Sequence, residues 1–190
     1  MKYANTLAEF LAAPANFTRA HLNGQNITDA DCQQIAVALR SANKLTQLHL
    51  YNNQIGYAGA RALGQGLAAN TKLNYLLFYQ NQIGDEGAIA LGQELAANTK
   101  LRWLSLGHNQ IGDAGAMSIA ESFQGNKPSL YYLCLDNNYI SEARVTQIKN
   151  MFPHVQNLQL HAQHFEKLAA HKAQAEQEAK AQAEQEAKAQ

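Results

Sequence analysis

The sequence predicts an α/β solenoid: a curved, horseshoe-shaped stack of strand–turn–helix units, with parallel strands on the concave side and helices on the convex side. Three observations predict it. The phrase L-x-x-L-x-L-x-x-N-x-I recurs, with copies opening at Leu45, Leu73, Leu101 and Leu130, spaced 28, 28 and 29 residues apart. Each phrase is followed by apolar residues at steps of 3 and 4, the mark of one helical face. Strands pack ~4.8 Å apart and helices need ~8–10 Å, so a stack joining the two rows must bend with the strands inside.

The elements follow in chain order. Thr6 and Glu9 form a capping-box pattern for a helix over 4–13, with Leu7, Phe10 and Leu11 on one face and Pro14 as its stop. Residues 1–15 are read as an N-terminal cap. A first, weaker repeat is Phe17, Ala20, Leu22, Gln25 and Ile27; a degenerate last one is Val155, Leu158, Leu160, Gln163 and Phe165. Atypical terminal copies are what a capped repeat array needs. The helical faces are Cys32/Ile35/Leu39, Ala60/Leu63/Leu67, Ala88/Leu91/Leu95, Ala116/Ile119/Phe123 and Val145/Ile148/Phe152. Asp29, Asp85 and Asp113 stand where helices begin, suited to capping their free N–H groups. Asn53, Asn81, Asn109 and Asn138 turn inward where the chain leaves each strand and serve backbone groups left over by sheet and helix. The words Ala-Asn-Thr-Lys at 69–72 and 97–100 mark the return to the next strand. The repeats span 16–165. Residues 166–190 are read as a helical tail: Phe165 and Leu168 cover the core edge, then two copies of AQAEQEAK supply strong helix formers without a continuous apolar stripe.

Bulk composition excludes several classes. Lys+Arg and Asp+Glu each number 15, so no basic excess marks a polyanion binder. Cys32 and Cys134, the 2 cysteines, are too few for a disulfide scaffold and form no zinc motif. No run approaches the ~20 apolar residues of a membrane helix. The N-terminus, with Asn5, Thr6 and Glu9 interrupting it, reads as a short helix rather than a secretory signal.

The pattern resembles the leucine-rich repeat family in its long, ribonuclease-inhibitor-like subtype. The run NQIGDEGAIALGQELAANTKL (81–101) is similar to repeats of NOD-like receptors and of the activator of the GTPase Ran. The resemblance covers roughly 16–165 and implies a leucine-rich-repeat solenoid. Repeat wording, small size and an Ala/Gln/Asn-rich background also resemble leucine-rich-repeat effectors that intracellular bacterial pathogens deliver into host cells. The stretch carrying Glu176, Glu178, Glu184 and Glu186 is similar to the glutamate-rich tails of type IV secretion substrates; helix propensity explains it equally. The resemblance implies a monomeric module, cytoplasmic before delivery and then in the host cell cytoplasm. Ran-activator likeness raises GTPase activation or another enzymatic regulation as the alternative, with no functional residue that maps across.

Within each strand the leucines face the core and the alternating residues face the concave solvent. Tyr75, Trp103 and Tyr132 thereby fall side by side, flanked by Tyr51, Tyr79 and Leu77. Core packing does not require aromatics there, and Tyr, Trp and Arg dominate interface hot spots. The competing explanation is strand propensity and cross-strand packing. The candidate partner-binding set is Arg19, His49, Tyr51, Tyr75, Leu77, Tyr79, Trp103, His108, Tyr132 and Asp136, and the expected partner is a protein. Ring stacking also suits single-stranded nucleic acid, but only Arg19 and Arg102 are nearby cations. Cys134, Asp136 and His161 superficially resemble a catalytic set without an oxyanion hole, so no catalytic residue is assigned; Cys134 is expected to be an accessible thiol. His161, His164 and His171 have helical metal-ligand spacing without a carboxylate or Cys, so no metal or cofactor is expected. His21 and His49 are cross-strand neighbours that could confer mild pH sensitivity.

Overall fold

The computed structural model describes residues 2–124, 130–153, 155 and 157–160. Seven strands form one parallel sheet in strict chain order: β1 (Tyr3–Ala4), β2 (Arg19–His21), β3 (Gln47–His49), β4 (Tyr75–Leu77), β5 (Trp103–Ser105), β6 (Tyr132–Cys134) and β7 (Asn157–Gln159). Between them run α1 (Leu7–Ala12), α2 (Asp29–Leu39), α3 (Tyr57–Ala69), α4 (Gly84–Leu95), α5 (Asp113–Ser122) and α6 (Glu142–Met151). The register aligns like with like: Ala20, Leu48, Leu76, Leu104, Leu133 and Leu158 pair in one row. This is the α/β solenoid expected from the periodicity.

The N-terminal cap differs from its expectation. The helix is shorter, and Tyr3–Ala4 instead adds a strand alongside Arg19–Ala20. Thr6 Oγ1 accepts the Glu9 N–H at 3.2 Å, but the Glu9 carboxylate takes the N–H of Asn5, at 2.8 Å, rather than that of Thr6. Gln25, standing where later repeats carry Asn, locks this cap: it accepts from Leu7 N and donates to the Asn5 carbonyl. The expectation for residues 166–190 lies outside the described residues.

The core is one continuous column. Leucines at 45, 48, 50, 63, 67, 73 and 76 are fully buried, and each such side chain contributes roughly 1.5–3 kcal/mol of transfer free energy. Between leucines, the asparagines close the corner after each strand. Asn109 Nδ2 donates to the carbonyls of Phe78, Leu106 and Gly107 at 2.9, 3.1 and 3.0 Å, and its Oδ1 accepts from Ile83 N. Asn53, Asn81 and Asn138 repeat the arrangement, each tying its own turn to the preceding repeat.

A second asparagine ladder explains the Ala-Asn-Thr-Lys words. Asn70 Nδ2 donates to Leu39 O and Ala42 O while its Oδ1 accepts from Lys72 N and Leu73 N. Asn98 does the same one repeat later. One side chain thus ends a helix, starts a strand and grips the previous repeat.

The helix-start aspartates cap in an unexpected direction. Asp85 Oδ1 accepts from Gly112 N and Gly115 N, at the start of the following helix, at 3.0 and 2.6 Å. Asp29 reaches Gly56 N, and Asp113 reaches Ser141 N and Oγ. Each carboxylate therefore serves the free N–H groups and positive dipole end of its neighbour rather than of its own helix. Tyr57 occupies the equivalent place in α3, so α4 lacks such a carboxylate. Its first residue, Gly84, instead takes φ +67° and donates to Asn109 O, a conformation suited to glycine.

Glycine sets the helix spacing. A Cβ on Gly115 would meet Ala88 Cβ at 2.7 Å, and one on Gly92 would meet Ser118 backbone at 2.7 Å. Gly59, Gly87 and Gly115 hold one repeat position; in α6 the same position is Arg144. That side chain forbids the close approach, and α6 lies far less intimately on α5 than α3, α4 and α5 lie on one another.

Replacing Asn109 by Ala removes one of two donors from each of the Phe78, Leu106 and Gly107 carbonyls and leaves the buried Ile83 N–H without its acceptor. Stability should fall by about 2–4 kcal/mol, the cost of one orphaned buried group together with the lost amide bonds. A urea titration checks this; an unchanged midpoint would show that the corner does not depend on the amide.

Candidate protein-binding surface

The strand register delivers the expected aromatic row. Tyr75 aligns with Trp103, and Trp103 with Tyr132. The Tyr75 and Trp103 rings stack with centroids 5.4 Å apart and planes 25° apart; Trp103 and Tyr132 stack at 4.1 Å and 13°. Trp103 thus carries a ring on each face. Tyr132 is fixed further by its hydroxyl, which donates to Gln159 Oε1 at 2.8 Å. Burial is the main cause raising the phenol pKa, with the charges and hydrogen bond of the neighbouring Cys134 adding to it.

The other candidates divide into neighbouring groups. Tyr79 and His108 meet edge to face at 4.9 Å, with Tyr79 lying over Gly107, where a Cβ would approach its ring to 3.0 Å. Tyr51 is exposed beside them, and Leu77 is half-buried between the two aromatic groups. Asp136 is half-buried at the far rim and accepts the His108 N–H through its backbone carbonyl. At the other end Arg19 lies over the Tyr3 ring at 5.5 Å, Tyr3 packs on His21 at 5.4 Å, and His21 stacks on His49 at 4.6 Å. None of the ten candidates is fully buried.

One expectation fails. Cys134 is not an accessible thiol: only 3% of it is exposed. Tyr132 and Ser105 hydrogen-bond around it, and burial is the first cause pushing its thiol pKa up. A protonated, covered sulfur is a poor nucleophile. Cys32 is a core residue, as its alignment with Ala60 and Ala88 requires, and its pKa is likewise raised, first by burial. His161, and with it the Cys134/Asp136/His161 set, lies outside the described residues, as do His164 and His171.

Reading alternate strand positions missed the strand-entry column. Tyr131, half exposed, tilts against Trp103 at 5.7 Å. Asn74, Tyr75, Arg102, Trp103 and Tyr131 line an open cleft of about 350 Å³. The signal was present in the alignment: Thr18, Thr46, Asn74, Arg102 and Tyr131 hold one repeat position, immediately before each strand.

The histidine pair carries a pH dependence. Burial first, then His21 and Arg19, lower the His49 pKa from 6.5 to about 4. The unfolded chain therefore takes up a proton on His49 before the folded one does. Stability should be complete above pH 6.5 and decline as pH falls towards 4. Melting temperatures across that window test it: His49→Gln should flatten the slope, and an unchanged slope would place the cause elsewhere.

Comparison with known proteins agrees with this architecture. Residues 41–64, 69–92 and 97–120 match the Leucine Rich repeat family. These stretches are three successive strand–turn–helix units, carrying β3, β4 and β5. No curated protein matches the sequence. Among solved structures, the leiomodin-1 actin-binding site 2 is similar over 92% of this chain and 98% of that one, with a TM-score of 0.67 and 20% identity. At that identity the likeness concerns architecture alone. Repeat matches, strand order and solved-structure likeness converge on an α/β leucine-rich-repeat solenoid.

Proposed function

We propose that the chain is a protein-binding module whose concave aromatic row, centred on Trp103, is the contact surface. The observation that carries the reading is the stack of Tyr75, Trp103 and Tyr132 on the solvent side of the sheet. The leucine core is complete without these rings. Large aromatic groups gathered on a solvent-facing surface are the side chains that dominate hot spots. Stacking also bears on the partner's class. A nucleobase would need a free ring face, and both faces of Trp103 are taken. Covered thiols with raised pKa values, in turn, argue against cysteine chemistry and favour binding over the enzymatic alternative. The actin binding of the leiomodin-1 site stays with that protein.

Trp103→Ala combined with Tyr75→Ala should weaken capture of an isolated partner by about three orders of magnitude, two hot spots' worth. Pull-down followed by calorimetry reads this, with circular dichroism confirming the fold. Undiminished affinity in a folded double variant would sink the reading.

The setting we propose is that of a monomeric bacterial effector, cytoplasmic before secretion and acting on a host protein. Its support is the repeat wording at 81–101 and the glutamates at 176–186. In an infection model with a reporter fused at the N-terminus, removing residues 172–190 should abolish delivery. Delivery of the shortened protein at full level would remove the tail from the account.

A further inference from the structure

We propose that the cleft at the strand-entry rim captures the free C-terminus of the partner polypeptide, with Arg102 holding the α-carboxylate and Asn74 the last amide N–H. The inference deepens the binding reading above and rests on it. Two residues with uncompensated polar groups of opposite sense, Arg102 and Asn74, line this cleft. Arg102 is exposed, and its guanidinium has no hydrogen bond or ion pair among the described residues. Asn74 Oδ1 is buried and unpaired, alone in this among the described side chains.

The orphan has a local origin. At the same repeat position Thr46 donates its hydroxyl to Thr18 O, and Thr18 donates to Lys2 O. Asn74 has no hydroxyl, and its side-chain oxygen, an acceptor only, cannot take that donor's place. A buried acceptor left unpaired carries a desolvation penalty, and rotation about the Cβ–Cγ bond is the movement by which it would meet a donor in the cleft. The two groups are one repeat apart, joined by the Arg102 N–H to Asn74 O bond of 3.0 Å.

A chain end fits this pairing. Its last residue carries an acceptor pair and an N–H on either side of one Cα. The carboxylate suits the planar fork of arginine, and the amide suits Asn74. The residue's side chain then lies against Trp103 and Tyr131. Because Trp103 is stacked on both faces, it presents ring edges to the cleft, and edges carry the positive part of the ring quadrupole. They reinforce the preference for a carboxylate. At about 350 Å³ the cleft is at the small end of ligand sites, suited to a terminus rather than to a through-running strand.

Trp103 is the only tryptophan, so its fluorescence reads the cleft directly. The probe is the peptide acetyl-Ala-Ala-Ala-Ala-Leu with a free carboxylate, titrated to millimolar concentration into the full chain. The expected result is a saturable change, at least about tenfold weaker for the C-terminal amide and for Arg102→Gln. Asn74→Leu should weaken it too, and Lys100→Gln, in the preceding loop, should not. No response to the acid, equal response to the amide, or equal response to an acetylated and amidated peptide with an internal Asp would each overturn the inference. In the partner pull-down, loss with Trp103→Ala/Tyr75→Ala but full retention with Arg102→Gln would refute the terminal capture alone. Retention with both variants would refute the binding surface itself.

Discussion

Every repeat has to leave a sheet and enter a helix within a few residues, and the backbone groups at that corner belong to neither ladder. The asparagines at 53, 81, 109 and 138 resolve this by donating to carbonyls of their own turn and of the preceding one. Leucine burial drives collapse, but it is not directional. The amide network fixes how far one repeat is rotated and translated from the next. With that step fixed, the register of the strands follows, and with the register the row Tyr75–Trp103–Tyr132.

Side-chain-to-backbone bonds of this kind join each repeat to its neighbour, beside the backbone ladder of the sheet. Asn70 and Asn98 reach backwards by one repeat on the return side, and the aspartates reach forwards by one at the helix starts. Such an array is stabilised mainly through nearest-neighbour interfaces. Where the pattern lapses, the geometry changes locally. Where Tyr57 replaces Asp, Gly84 adopts a left-handed φ, and where Arg144 replaces Gly, α6 packs less closely on α5.

The fold was legible because its determinants are periodic. Leucine spacing, the helix faces and the corner asparagines all return at the same interval, and strand alternation placed Tyr75, Trp103 and Tyr132 together. What escaped depended on single departures from the period or on reach between repeats. Tyr3–Ala4 forms a strand because β2 offers a free edge, which no local pattern announces. The aspartates look like caps for their own helices, and only the stacking distance lets them reach the next. Cys134 alternates outward as expected, yet Tyr132 and Ser105 cover it. Alternation gives direction, not accessibility.

Stacking also changes what the aromatic row can do. Isolated rings on a sheet would offer faces to a partner and would have to surrender rotamer freedom on binding. Here Tyr75 and Tyr132 brace Trp103, and Tyr132 is in turn held by Gln159. The ordering cost is met during folding, so contacts at this surface lose less of their energy to immobilisation. The same bracing leaves the ring edges of Trp103 outward, beside the exposed Arg102 at the strand-entry rim. Such edges and a guanidinium suit the carbonyl and carboxylate groups proposed for the partner. The order of this surface therefore arises from the packing of strands against one another, which in turn depends on the asparagine corners behind them.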